Sequence, residues 1–266
     1  MNNPILQTEP STNMKPTYGM IKTIDMIKSF ESKGWYMAAQ SVARVRQGSR
    51  RDGFQKHIIR MRNDAFKSIP GLSADNASVP ELCILNAHDG TSAYRLFLGV
   101  VRIACLNGLI AGDALASYRV IHSQNAVKGL HDGVDAMVAQ LPRMIDQIAL
   151  LQGTQVLPDQ YRAYVKAMYD QRVLPIGGVQ HIDYFLPTQR PEDNGRDAYT
   201  VFNRVQEMML RGGIHYTAKR IVRDEAGDEI GSVLRNGTTR RVSNIGAQLK
   251  LNQMAYDKAM EILVAA

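Results

Sequence analysis

Along the first half of the chain the spacing of apolar residues changes period. Ile21, Ile24, Ile27 and Phe30 fall three apart, with Thr23 placed to cap one end and Gly34 to stop the other, which predicts a short amphipathic helix over 21–33. From 35 to 46 the period becomes two. Trp35, Met37, Ala39, Ala43 and Val45 share one side, and Gln40, Arg44 and Arg46 the other, as in a half-exposed strand. After the GSRRDG segment at 48–53, His57, Ile59 and Met61 alternate with Lys56, Arg60 and Arg62, so a returning strand pairs with the first. The stretch 63–80 is rich in breakers and reads as a loop. Residues 81–85 read as a buried strand. The segment 91–105 fits a helix face through Tyr94, Phe97, Leu98 and Val101, but its β-branched and aromatic content and Gly99 favour a strand. Asn107-Gly108 reads as a tight turn and 114–122 as another strand. A long helix over 124–151 follows, which Pro142 kinks or divides.

The last third reads as mostly helical. Residues 159–172 are polar with three tyrosines, and 173–196 carry Pro175, Gly177-Gly178, Pro187 and Pro191, the pattern of a linker or irregular wrap. Ala198, Val201, Phe202, Val205, Met208 and Met209 give a helix ended by Gly212-Gly213. Residues 214–242 are basic and turn-rich, consistent with a hairpin around DEAGDE or RNGTT, and a final helix carries Ile245 to Leu263. The expected class is α+β: an antiparallel sheet with a basic strand pair packed on a long helix, then a mostly helical carboxy-terminal part. Residues 1–20 form a flexible arm, 21–155 the α+β core, and 156–266 the helical part packed on it.

Charge sharpens this reading. The 266 residues hold 32 Lys and Arg against 25 Asp and Glu, a formal charge of +7. The excess is local, because residues 1–70 hold twelve basic and five acidic side chains. A concentrated positive field attracts a polyanion through steering and counterion release. No apolar run is long enough for a membrane helix, and the amino terminus lacks the order of a signal peptide. Two cysteines, Cys83 and Cys105, are too few for a disulfide framework and read as buried thiols in a reducing cytoplasm.

The strongest chemical signal is the strand pair. It gathers Arg44, Arg46, Arg50, Arg51, Lys56, Arg60 and Arg62 against a single acid, Asp52. Strand alternation puts five of these on one face and two at the turn, a strip able to follow phosphates while Tyr36 and Phe54 offer stacking surfaces. The competing reading is a solvated outer face. Asn86-Ala87-His88-Asp89-Gly90-Thr91-Ser92 could supply an acid/base pair or metal ligands, yet no second histidine stands at ligand spacing, and a structural turn fits better. Asn203, Glu207 and Arg211 stack at helical spacing as a polar ridge, read first as solvated surface and otherwise as an interaction face. Arg240 and Arg241 offer a modest phosphate site. No nucleotide loop, nucleophile elbow or zinc motif occurs, and neither a cofactor nor a metal is expected.

The segments PELCILNAHDGTSAYRLFLGVVRIACLNGLIAGD (80–113), YTVFNRVQEMMLRGG (199–213) and TRRVSNIGAQLKLNQMAYDKAMEIL (239–263) resemble, in consistent order, the phage/plasmid-like family catalogued as domain of unknown function 932. That resemblance implies a mobile-element setting on phage, prophage or plasmid and a bacterial host cytoplasm, and names no reaction. Family members commonly carry a tryptophan in the last helix, where this chain has Tyr256. A second, architectural similarity is to single-strand annealing proteins of recombination, whose rings or filaments hold nucleic-acid backbone in a sheet-and-helix groove. Together these lead to the expectation of a non-enzymatic, homo-oligomeric protein that binds single-stranded DNA and anneals complementary strands. The alternative is a host-takeover or anti-defence protein that docks its basic face on a host protein. A third reading, a nuclease using His88 and Asp89, lacks a second placed carboxylate or histidine.

Overall fold

The computed structural model describes residues 3–66, 78–102, 117–120, 122, 130–179 and 191–264. The chain divides into two compact units, residues 1–147 and 148–266, a boundary eight residues before the expected one.

The first unit is an antiparallel meander. Strands β1 (Trp35–Val42), β2 (His57–Asn63), β3 (Ser78–Asn86), β4 (Tyr94–Arg102) and β5 (Ser117–Val120) lie side by side in chain order. The α+β class and the paired basic strands are therefore as expected. Helix α1 (Thr23–Glu31) precedes the sheet, and α2 (Leu130–Val138) packs on β4 and β5. The expected long helix is two helices in series, because the chain breaks at Ala139 and Gln140 before α3 (Leu141–Gly153). Pro142 stands in the first turn of α3, where its missing N–H removes no helical bond. The Asn107-Gly108 turn lies outside the described residues.

Register sorts the sheet into two faces. His57, Ile59 and Met61 stand opposite Asn86, Ile84 and Leu82, and Ile84 and Leu82 in turn oppose Leu96 and Leu98. All of these are buried and form the core face. Helix α1 is joined to it through one hydroxyl. Thr23 Oγ1 lies 2.7 Å from His57 Nε2, 2.9 Å from Asn86 Nδ2 and 3.3 Å from His88 Nε2. His57 Nδ1 lies 3.0 Å from the Gln55 carbonyl, which can only accept, so Nδ1 carries the proton and Nε2 accepts from Thr23. The hydroxyl in turn accepts from Asn86 and His88. Thr23 was expected to cap α1 and instead occupies its first turn, its oxygen spent on the core.

Residues 3–20 do not stand off as a free arm. Pro4, Ile5 and Ser11 are buried, Ser11 N–H donates to the His88 carbonyl (3.0 Å), and Tyr18 donates to the Ala87 carbonyl (3.2 Å) and stacks on His122.

The second unit is helical with one small sheet. Helix α4 (Pro158–Val173) occupies what the sequence presents as linker. Its polar residues face outward while Tyr164, Val165, Met168 and Tyr169 bury one side, and the Tyr164 hydroxyl donates to the Ala255 carbonyl at 2.9 Å. Of the chain beyond it, residues 180–190 lie outside the described residues, and the described part consists of short turns and one two-residue strand. Helix α5 (Ala198–Arg211) is capped by Asp197 and stops at Gly212, where φ is +80° and a Cβ would lie 2.5 Å from the Thr239 carbonyl oxygen. Strand β6 (Gly178–Val179) pairs with β7 (His215–Arg223), and β7 forms a hairpin with β8 (Glu229–Thr238) around the DEAGDE turn. Helix α6 (Ile245–Ala259) continues into a wider turn at Met260–Val264. Among the described residues no helix is long and apolar enough to cross a membrane.

The histidine cluster sets an acid limit. Burial lowers the pKa of His57, lowers that of His88 to about 3, and lowers that of His122 to about 4. Each imidazole therefore binds a proton more readily in the unfolded chain, so its contribution is full above pH 6.5 and is lost as pH falls toward 4. Chemical denaturation between pH 7 and 4 should show the unfolding free energy falling by up to ~1.4 kcal/mol per pH unit per histidine. A flat profile would contradict the lowering, since the folded and unfolded chains would then bind protons equally.

Candidate nucleic-acid interface

Strand β1 is shorter than the alternation suggests. It ends at Val42, and pairing extends only to Ala43, whose N–H donates to the Lys56 carbonyl at 2.8 Å. Arg44 and Arg46 therefore lie in a loop rather than on the strand. A bulge between Met37 and Ala39 also shifts the register, so that Gln40 and Val42 join Met37 on the core-side face. The continuous strip of five cations across two strands is not formed.

Arg60 and Arg62 do share the outer face of β2, but they are not free. Between them on β3 lies Glu81, whose side chain is wholly buried. Arg60 Nε donates to one carboxylate oxygen and Arg62 to the other at 2.7 Å. A carboxylate without water at that position requires a countercharge, and two guanidiniums supply it. These arginines hold the sheet together.

The remaining cations collect at one end of it. The 43–56 loop is built by successive turns, with Ser49 N–H donating to Arg46, Asp52 to Ser49 and Phe54 to Arg51. It is fastened to the loop after β3, where His88 N–H donates to the Phe54 carbonyl (2.8 Å) and Arg51 donates to Asp89 (2.8 Å). Arg51 keeps half its side chain exposed. Arg44, Arg46 and Arg50 are exposed and Lys56 is half-buried, and none has an acidic partner among the described residues.

Two further arginines stand at the same end. Register sets Arg95 of β4 directly opposite Arg119 of β5, one residue in from the Tyr94–Val120 pair. Both are exposed, on the face shared with Arg60 and Arg62. Like charges directly opposite on paired strands repel, and neither has an acidic partner among the described residues. Sequence reasoning missed them because a single arginine in each of two apolar strands gives no local charge run. The signal was present as alternation: Arg95 between Tyr94 and Leu96, and Arg119 between Tyr118 and Val120.

The comparisons place this geometry in a family. The model of the domain of unknown function DUF932 matches residues 12–249. The chain belongs to that family. Two relatives from Escherichia coli strain K12 are each 28% identical to it over 92% of this chain and 82% of their own: UPF0380 protein YafZ over 250 residues and UPF0380 protein YfjQ over 252. No solved structure matches.

The other candidate residues of this DUF932 chain separate into buried and exposed sets. Asn203 and Glu207 were read as solvated ridge, yet each is 2% exposed. Helix α5 is covered on almost every side, so its polar residues are interior. Asn203 donates to the Tyr199 carbonyl (2.8 Å), Glu207 pairs with Arg211 (2.9 Å), and Gln206 donates to Asn252 of α6 (3.1 Å). Only Arg211 reaches solvent. Arg240 and Arg241 are exposed between β8 and α6, and the Arg240 carbonyl accepts from Arg172. His88 and Asp89 do not form an acid/base pair: His88 is buried against Thr23, and Asp89 accepts from Thr91 and Arg51. Cys83 is buried, which with the neighbouring Glu81 pushes its thiol up to about 12, while Cys105 lies outside the described residues. Among the described residues no group of His, Cys, Asp or Glu is placed to hold a metal ion.

The structural role of Arg60 and Arg62 is testable by rescue. Replacing both with Gln strands the Glu81 charge and should cost about 3–5 kcal/mol in chemical denaturation. Adding Glu81→Gln should recover most of that loss. Equal stability of the double variant and the wild type would contradict the pairing.

Proposed function

We propose that this protein binds single-stranded DNA by its phosphates at the end of the five-stranded sheet. Arg44, Arg46, Arg50 and Lys56 reach from the 43–56 loop, and Arg95 and Arg119 from the adjoining face. The observation that carries this is the Arg95–Arg119 pair: two like charges face each other with no acidic partner among the described residues, at the same end of the sheet as a loop that adds more of the same sign. An anion bridging the pair turns that repulsion into attraction.

Phosphate contact leaves bases unread, so binding is sequence-tolerant and the bases stay available to pair with a second strand. Annealing follows if several copies carry one strand in an extended path, which is where avidity and oligomerisation enter. The half-buried Phe54 flanks this end and offers stacking surface, while Tyr36 pairs in register with Arg62 at the other end of the sheet. The compartment is the bacterial cytoplasm. Arg60 and Arg62 are not part of the proposed contact, because both guanidiniums are already engaged by Glu81.

The test is binding to a labelled single-stranded oligonucleotide and its duplex across a salt series. Tighter, steeply salt-dependent binding to the single strand is expected. Arg44→Gln, Arg46→Gln and Arg50→Gln together should lower the slope of log affinity against log salt by about 2, one phosphate per arginine. No binding at low salt, or an unchanged slope, overturns the proposal.

A further inference from the structure

The small sheet runs β6-β7-β8, so β8 has no strand on its outer side among the described residues. One bond fixes which of its backbone groups point there. Thr239 N–H donates to the Ile214 carbonyl (2.9 Å), one step beyond the His215–Thr238 pair, so 214 and 239 form a hydrogen-bonded pair and every second pair back along the antiparallel hairpin does the same. Gly237, Arg235, Val233 and Gly231 therefore turn their N–H and C=O groups to β7. Asn236, Leu234 and Ser232 turn theirs to the open edge. Such a row of donors and acceptors is a template for another strand.

The same register sorts the side chains, because residues directly opposite share a face. Thr217 donates to the Asn236 side chain (2.9 Å) on one face, and on the other a Cβ at Gly237 would meet the Tyr216 ring at 2.7 Å. The first face carries Ile221 opposite Ser232 and, diagonally, Leu234, which is 75% exposed; Lys219 stands opposite Leu234. The second carries Arg220 opposite Val233 and, diagonally, Arg235. Lys219, Arg220 and Arg235 are all exposed, with no acidic partner among the described residues. The acids of the hairpin, Asp224, Glu225, Asp228 and Glu229, gather at its turn, beyond the register shift that follows Val222. The open edge is thus apolar on one face and cationic on the other. A phosphate backbone would meet the cations, but it offers no donors to the open carbonyls and no cover for Leu234. A peptide strand supplies both.

We propose that the open edge of β8 binds an extended segment of another protein as an added strand, one in which acidic residues alternate with apolar ones. Main-chain bonds to Ser232, Leu234 and Asn236 hold it, its carboxylates fall on the face of Arg220 and Arg235, and its apolar side chains fall on the face of Ile221 and Leu234. Either chain direction gives the match, because alternation alone assigns the faces. The site lies wholly within the hairpin and does not rest on DNA binding.

The probe is a fluorescein-labelled peptide of alternating Asp and Val as long as the open edge, with the same residues arranged as one acidic and one apolar block for its control. Fluorescence anisotropy on the full chain should show the alternating peptide binding and the block peptide binding about tenfold more weakly. Arg220→Glu with Arg235→Glu should reverse the preference, toward a peptide in which Lys replaces Asp. Ser232→Pro removes an outward N–H and no bond to β7, so it should weaken binding where Ser232→Ala does not. Unchanged circular dichroism and melting serve as the folding control. No binding of the alternating peptide, equal binding of the block peptide, a Ser232→Pro chain that binds as the wild type does, or a charge-reversed hairpin that loses affinity for single-stranded DNA and not for the peptide would each overturn the proposal.

Discussion

A buried carboxylate decides how this sheet can be used. Glu81 sits in the central strand with no access to water, and such a charge persists only where opposite charge meets it. Arg60 and Arg62 rise from β2 to do so. That single constraint ties β2 to β3 and engages two of the seven basic residues of the strand pair within the sheet itself. It also makes the remaining cations conspicuous: among the described residues, Arg95 and Arg119 on the same face find no such partner. Charge that appears as one basic run along the chain is two populations in space.

The opposite face is governed by protonation. The Thr23 hydroxyl has one proton to give and two lone pairs, and His57, Asn86 and His88 use all three. The geometry requires a neutral His57, since a protonated ring would have nothing to accept with. Burial lowers the pKa of His57, His88 and His122, as that arrangement demands. The loop bearing His88 and Asp89 is thus structural, and its position matters to the proposed interface only because Asp89 fastens Arg51 and the His88 backbone fastens Phe54.

Much of the fold is legible in the sequence because each strand of the meander is short and pairs with its neighbour in the chain. Alternation in 57–63 and the apolar run around 81–85 identify β2 and β3, and the Gly212-Gly213 stop identifies the end of α5. What fails is informative. The Ala38 bulge cannot be seen in a hydrophobic pattern, so extending alternation to Arg46 carries two arginines onto a strand they do not occupy. Helix α4 is polar enough to pass for linker because two of its five buried residues are tyrosines and most of its remaining positions are polar. Asn203 and Glu207 look solvated until α5 is found to be enclosed, where polar groups survive through bonds to Tyr199 and Arg211. Pairing across strands, as for Glu81 with Arg60 and Arg62 or Arg95 with Arg119, depends on register that no single segment encodes.

The division of the arginines into structural and binding sets is the centre of this account. It is tested by measuring, side by side, the melting temperature and single-stranded DNA affinity of Arg60→Gln/Arg62→Gln and Arg95→Gln/Arg119→Gln at a temperature where both are folded. The account predicts that the first melts earlier yet keeps its affinity, and that the second melts as the wild type does yet binds more weakly. The reverse pattern, or weakened binding in both alike, would contradict it.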